Sequence, residues 1–155
     1  MGYTHSWSHD EIPKSTWNRK VMPVTNALIA MAEHEGIHLV FEFDEPDRRP
    51  EVTDSSIYFN GGNGEHGETF VLQRHNKSKF RFCKTARRPY DQVVVAILRF
   101  IELITSKFEF GSDGDDNEMR DGEDMLLKCL NEYFPLQYPA TVRRLLDLRA
   151  REITS

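Results

Sequence analysis

The apolar positions of this chain follow two periods. The longest pattern is helical. Val93 to Leu98 is unbroken, and Phe100, Ile101, Leu103 and Ile104 extend it, leaving Gln92, Arg99, Glu102 and Ser106 as a polar stripe. A helix apolar around most of its girth belongs at the centre of a fold. Pro89, Tyr90 and Asp91 mark its start, with the acid placed to suit the helix dipole. Val21, Val24, Leu28 and Met31 recur every three or four residues. They predict a helix from Ser15 or Thr16 to about Glu35, stopped by Gly36. Pro23 removes one of its backbone bonds, so two pieces are expected, the firmer one after Pro23. Two later helices are expected, one over Met125–Tyr133 stopped by Pro135, and one from Pro139 through Val142, Leu145, Leu146 and Leu148.

Between these helices the period drops to two. Ile37, Leu39, Phe41 and Phe43 alternate with His38 and Glu42. Ile57–Phe59, Glu68–Arg74 and Lys79–Lys84 follow as short strands, and Phe108–Phe110 is a further candidate. Alternation in the fourth strand predicts Phe80 and Phe82 inward, with Lys79, Arg81 and Cys83 on the other face. Asp44 to Asp54, with Pro46 and Pro50, reads as a loop, and Asn60-Gly61-Gly62-Asn63-Gly64 as a turn. Short connections favour an antiparallel meander.

The expected fold class is therefore α+β: an antiparallel sheet of about four strands packed against a central buried helix, with two further C-terminal helices. Residues 1–14 are expected as a mobile N-terminal arm and 15–155 as a single α+β domain. His5 and His9 in that arm would share a face only on a helix, where they could hold a metal.

At 155 residues the chain suits one domain, and ten Phe, five Tyr and two Trp supply core material, against disorder throughout. No apolar run approaches the ~20 residues that span a bilayer, and no charged-then-apolar leader is seen. A soluble protein without a membrane partner is expected. The net charge of -5 disfavours nucleic acid as the main partner.

Charge is unevenly distributed. From Arg74 to Arg88 there are seven Lys or Arg residues and no acid. The segment ends where a strand meets the central helix, so free backbone N–H groups and the positive dipole end converge there. Lys79, Arg81, Lys84, Thr85, Arg87 and Arg88 are the candidate anion- or partner-binding residues, suited to a phosphate-bearing ligand or an acidic protein surface. The same charges could instead guard an edge strand or balance the protein's own acids. Cys83 is expected as a buried packing residue rather than a nucleophile.

Glu109 to Asp124 holds eight acids against one base, Arg120. Asp113, Asp115, Asn117, Asp121 and Asp124 fall on ligand positions of a calcium loop. Glu118 stands where that loop needs glycine, however, and Asp124 is shorter than the usual terminal Glu. A solvated acidic loop is expected, with weak divalent cation binding through Asp113, Asp115 and Asp116 as the alternative. Because the basic and acidic segments flank opposite ends of one helix, they are not expected to pair within a molecule. Pairing between copies in a homo-oligomer is open to them. No metal, Walker or nucleophile-elbow motif occurs, which favours a protein that is not an enzyme.

Phe82-Cys83-Lys84-Thr85-Ala86-Arg87-Arg88-Pro89-Tyr90-Asp91, Phe59-Asn60-Gly61, Glu68-Thr69-Phe70 and Ser112-Asp113-Gly114-Asp115 resemble segments of small uncharacterised accessory proteins of tailed bacteriophages and prophages. The resemblance covers about the central half of the chain and implies a context, the cytoplasm of a bacterial host, but no catalytic residue. It implies a binding protein that inhibits or redirects a host factor, such as a defence component, through protein–protein contact. A binder that sequesters a nucleotide-like anion, or a metal-dependent phosphoryl-transfer or hydrolytic enzyme, are the alternatives.

Overall fold

The computed structural model describes residues 3–75 and 80–154, and it divides the strands between two antiparallel sheets. In the first, β1 (Thr4–His9) lies between β6 (Phe80–Lys84) and β7 (Phe108–Ser112). In the second, β4 (Ser56–Gly61) pairs with β2 (Leu39–Val40), β3 (Glu51–Val52) and β5 (Phe70–Gln73). The architecture is α+β, as expected, but the strands are shared out differently.

The expected mobile arm is instead the middle strand of the first sheet. Thr4-His5-Ser6-Trp7-Ser8-His9 alternates strictly, burying His5, Trp7 and His9 and turning Thr4, Ser6 and Ser8 outward. Neighbours on both edges satisfy its backbone groups. The two inward histidines made the alternation read as polar. On a strand they lie at opposite ends with Trp7 between them, so they do not form a metal-binding pair.

The expected meander also loses its last strand. β6 leaves the neighbourhood of β5 and pairs with β1, setting Cys83 opposite His5 and Arg81 opposite Trp7. Opposed residues of an antiparallel pair project to the same side. Because His5 and Trp7 face the core, Cys83 and Arg81 follow them. Phe80 and Phe82, expected inside, face out at 58% and 64% exposure. The strand expected over residues 37–43 shrinks to two residues, and Phe43 lies outside the core, stacked on His66 at 4.6 Å. The expected loop over residues 44–54 contains β3.

The first helix runs without a break through α1 (Lys14–Thr16), a π-helical turn (Trp17–Val21) and α2 (Met22–His34). In the π turn the Met22 N–H donates to the Trp17 carbonyl, five residues back. The extra residue falls just before Pro23, where a regular ladder would clash with the ring. The two expected pieces are thus joined. α3 (Asp91–Ile104) is the central helix, and its residues Val93 through Leu98 are all buried. Trp7, Trp17, Phe59, Phe70, Tyr90 and Phe100 make up much of the aromatic core around it.

α4 (Asp116–Tyr133) begins nine residues earlier than expected, inside the acidic segment. Asp115 accepts from the Glu118 N–H, and the Glu118 carboxylate accepts from the Asp115 N–H. This capping box satisfies two otherwise orphaned donors. Glu118 is therefore a helix-start residue and not a misplaced calcium-loop glycine. Arg99 bonds Glu123, and a Cβ at Gly122 would stand 2.5 Å from Val95 Cβ, so only glycine lets α4 lie this close to α3. α5 (Pro139–Thr154) is the last of the described elements. No helix among the described residues is long and apolar enough to cross a membrane.

Candidate functional site

The turn between β6 and α3 is strained and tightly held. Ala86 and Arg87 both take left-handed backbone conformations, with φ of 55° and 59°. Each such non-glycine residue costs roughly 1–2 kcal/mol. Outliers of this kind persist only where the surroundings over-determine them, and they cluster at functional sites. Here the Thr85 and Ala86 N–H groups both donate to the Tyr3 carbonyl, at 3.0 and 3.3 Å. Below the turn, Asp91 Oδ1 accepts from Thr85 Oγ1 at 2.6 Å and from His5 Nε2 at 2.5 Å. His5 and Thr85 are fully buried, and Asp91 is 8% exposed. The Tyr3 ring closes edge-on over His5 at 4.8 Å. The shared Asp91 carboxylate couples His5 to Thr85, while His5 Nδ1 is buried without a hydrogen-bond partner among the described residues.

A second set of contacts ties the turn to the other sheet. Glu68 accepts from the Lys84 N–H through Oε1 at 2.6 Å, and its own N–H donates to the Lys84 carbonyl at 2.9 Å. The Glu68 carbonyl accepts from the Tyr90 hydroxyl and from Cys83 Sγ. The Asn60 side chain bonds both the N–H and the carbonyl of Gly67. Burial, with the Glu68 charge adding to it, pushes the Cys83 thiol up to about 12, so it stays protonated as expected of a packing residue. Asp113 accepts from the Thr4 N–H at 2.7 Å. Gly114 lies under Tyr3, where a Cβ would meet the ring at 2.0 Å. The segments Phe82–Asp91, Phe59–Gly61, Glu68–Phe70 and Ser112–Asp115 therefore converge on this corner of the molecule.

Beside the turn opens a cleft of about 370 Å³ whose walls include Tyr3, Arg87, Arg88, Asp91, Gln92 and Glu118. Contrary to expectation, basic and acidic segments meet across it. Arg87 Nε pairs with Glu118, and its guanidinium sits 4.8 Å over the Tyr3 ring. Arg88 pairs with Glu65 at 3.2 Å. The reason is β7. After α3 ends, that strand runs back along β1, with Phe108 opposite His9 and Ser112 opposite His5. It returns the chain to the head of α3 before α4 starts. A rise per residue along one helix predicted separation; the return strand cancels it.

The expected site residues are thus dispersed in role. Lys84 is exposed at the end of β6, and Arg87 and Arg88 project at the cleft already paired with carboxylates. Thr85 is buried and serves the network. Arg81 lies on the opposite side of β6 and donates to the Gln73 side chain at 2.9 Å. Lys79 lies outside the described residues. Asp113 and Asp115 are occupied by backbone N–H groups, and Asp116 opens α4. Among the described residues no three His, Cys, Asp or Glu side chains converge as a metal site.

Sequence reasoning missed Tyr3, gave His5 only a metal-binding role with His9 on a helix, and misplaced Phe80 and Phe82. The alternation of residues 4–9 was the signal for the first pair. Phe80 and Phe82 lie side by side, ring centroids 5.8 Å apart, on the same outward face as Lys84. Across the sheet Phe82 faces Ser6 and Gly111 and Phe80 faces Ser8 and Glu109, and both rings stay exposed. No protein-family model, curated protein or solved structure matches this chain.

Proposed function

We propose that the chain is an accessory binding protein of the phage type, which inhibits or redirects a host factor in the bacterial cytoplasm by protein–protein contact. Its contact surface runs along β6: Phe80, Phe82 and Lys84, with Arg87 and Arg88, already paired with Glu118 and Glu65, only at its margin. The observation that carries this reading is the exposed Phe80–Phe82 pair. Two large aromatics stand side by side in water on a sheet face they share with Ser6, Ser8, Gly111 and Glu109, and the fold leaves both uncovered. Aromatic and Arg side chains are also the groups that most often anchor protein interfaces. The strained turn supports the reading, because it holds the cationic end of the strip rigid relative to the aromatic end. A nucleotide-like anion is the weaker occupant of the cleft, since both arginines that would grip it are held by Glu118 and Glu65.

A photo-crosslinking residue placed at position 82 tests this in host lysate, with position 43 as an equally exposed control. A discrete protein adduct is expected at 82 and not at 43, and it should vanish when Phe80 is also replaced by Ser. Equal labelling at both positions, or none at either, would remove β6 as the contact surface.

A further inference from the structure

The head of α3 carries a carboxylate of which the fold uses one oxygen. Asp91 Oδ1 takes both donors of the buried network, the Thr85 hydroxyl at 2.6 Å and His5 Nε2 at 2.5 Å. Asp91 Oδ2 has no hydrogen-bond partner among the described residues, and it is not sealed from solvent. Asp91 as a whole is 8% exposed and lines the cleft of about 370 Å³. What remains accessible of this side chain therefore opens into that cleft, through the oxygen the network leaves free.

The charge balance of the cleft is negative. Arg87 is held by Glu118 and Arg88 by Glu65. Those two pairs cancel. They leave Asp91 and, from α4, Asp121, whose exposed side chain has no partner among the described residues. His5 does not cancel Asp91. Its Nδ1 is buried without a partner among the described residues, so a second ring proton would be a charge with nothing to accept it. The start of α3 offsets part of the Asp91 charge. Its first N–H groups are already spent, however, Asp91 N–H on the Arg88 carbonyl and Gln92 N–H on the Pro89 carbonyl. A carboxylate nine-tenths out of water that faces a cleft of its own sign calls for a cation.

The geometry also selects the kind of cation. A guanidinium grips a carboxylate with a two-pronged fork that uses both oxygens. Here Oδ1 already accepts two bonds, and a single contact at Oδ2 remains. A primary ammonium is a compact charge with three donors and needs only one oxygen from each acceptor. Asp121 and the Gln92 side chain, also uncommitted among the described residues, line the same cleft and supply the further acceptors.

We infer that this cleft binds the primary ammonium group of a small amine or of a lysine side chain, with Asp91 Oδ2 as the buried anchor and Asp121 and Gln92 as outer acceptors. The site makes no use of Phe80 or Phe82, so it stands or falls independently of the proposed function.

A backbone-amide NMR titration at constant ionic strength tests it, with n-butylammonium as the probe. Saturable shifts are expected at residues 91, 92 and 121. Tetramethylammonium, which has the charge but no N–H, should give none, and n-butylguanidinium should bind more weakly than n-butylammonium. Nα-acetyl-lysine amide is the second arm: tighter binding than n-butylammonium assigns the site to a lysine side chain, and weaker binding assigns it to a free amine. Asp91→Asn keeps a carbonyl oxygen for His5 and Thr85 but turns the accessible acceptor into a donor. It should weaken n-butylammonium binding by at least about tenfold. Asp121→Asn, at an exposed position where folding is not at risk, should weaken it to a smaller extent. Wild-type shifts no larger than those from tetramethylammonium, n-butylguanidinium binding as tightly as n-butylammonium, or undiminished binding in folded Asp91→Asn or in Asp121→Asn would each overturn the inference.

Discussion

β1 buries one histidine at each end, and the two ends are treated differently. At one end His5 Nε2 meets Asp91, which Thr85 also bonds, and the strained turn and the cleft are built on that network. At the other end His9 stacks on Phe108 at 5.2 Å, and Nδ1 donates to the Asp10 carbonyl. Each ring keeps one buried nitrogen with no hydrogen-bond partner among the described residues, Nε2 in His9 and Nδ1 in His5, so the difference lies in the partner of the bonded nitrogen, a backbone carbonyl for His9 and the shared carboxylate for His5. Burial pushes the His9 pKa below its ordinary value, against the pull of Asp10. The same residue type on the same strand is thus a network member at one end and a neutral packing ring at the other. The contrast teaches that burial alone does not make a site. A site also needs partners whose removal leaves something unsatisfied.

Removing a partner should therefore cost most at the first end. Asp91→Ala leaves His5 and Thr85 buried without an acceptor and should destabilise the protein by about 3 kcal/mol in urea unfolding. His9→Phe removes an unsatisfied nitrogen while keeping the ring contact, and should cost less than about 1 kcal/mol. Equal costs at the two ends would break the comparison.

The pH dependence sharpens it. The folded-state pKa of His9 lies below its ordinary 6.5, so in acid the unfolded chain binds a proton that the folded chain refuses. The contribution of His9 is fully present above pH 6.5 and is lost as pH falls below it, with a slope of at most about 1.4 kcal/mol per pH unit. Glu11 and Glu118, held low by hydrogen bonds from Arg74 and Arg87, lose their contributions only below their ordinary 4.5. The interval between those values therefore isolates the histidines. Stability measured there should fall with acid in the wild-type chain and lose that slope in His9→Phe.

The smallest expected effect is a gain. Ala86→Gly should stabilise the fold by up to about 1 kcal/mol, because glycine takes φ of 55° without a Cβ penalty. If the turn is held for binding, that variant should capture the β6 partner less well despite its higher melting temperature. A gain in both would show the strain to be incidental.

Part of this architecture was legible in residue order. The apolar run from Val93 to Leu98 and the acid at Asp91 announced a buried helix with a polar head, and both stand as expected. The period of two in residues 4–9 was equally regular, but its inward positions include two imidazoles, which read as polar until Asp91 and Phe108 are placed beside them. In β6, alternation separated Phe80 and Phe82 from Arg81 and Cys83 correctly. It did not say which set faces inward, because that depends on the strand next door. Trp7 of β1 decided it, from more than seventy positions away.

Residue order by itself determined the local elements, since capping, helical and strand periods, and proline stops act within a few residues of where they are written. It thereby set the α+β class. Only tertiary structure decided that β7 would carry the acidic segment back to the basic turn, that the arm would become a central strand, and that two phenylalanines would be left in water. Each of those outcomes depends on pairing between distant segments, whose free energy is shared among partners that no local window contains.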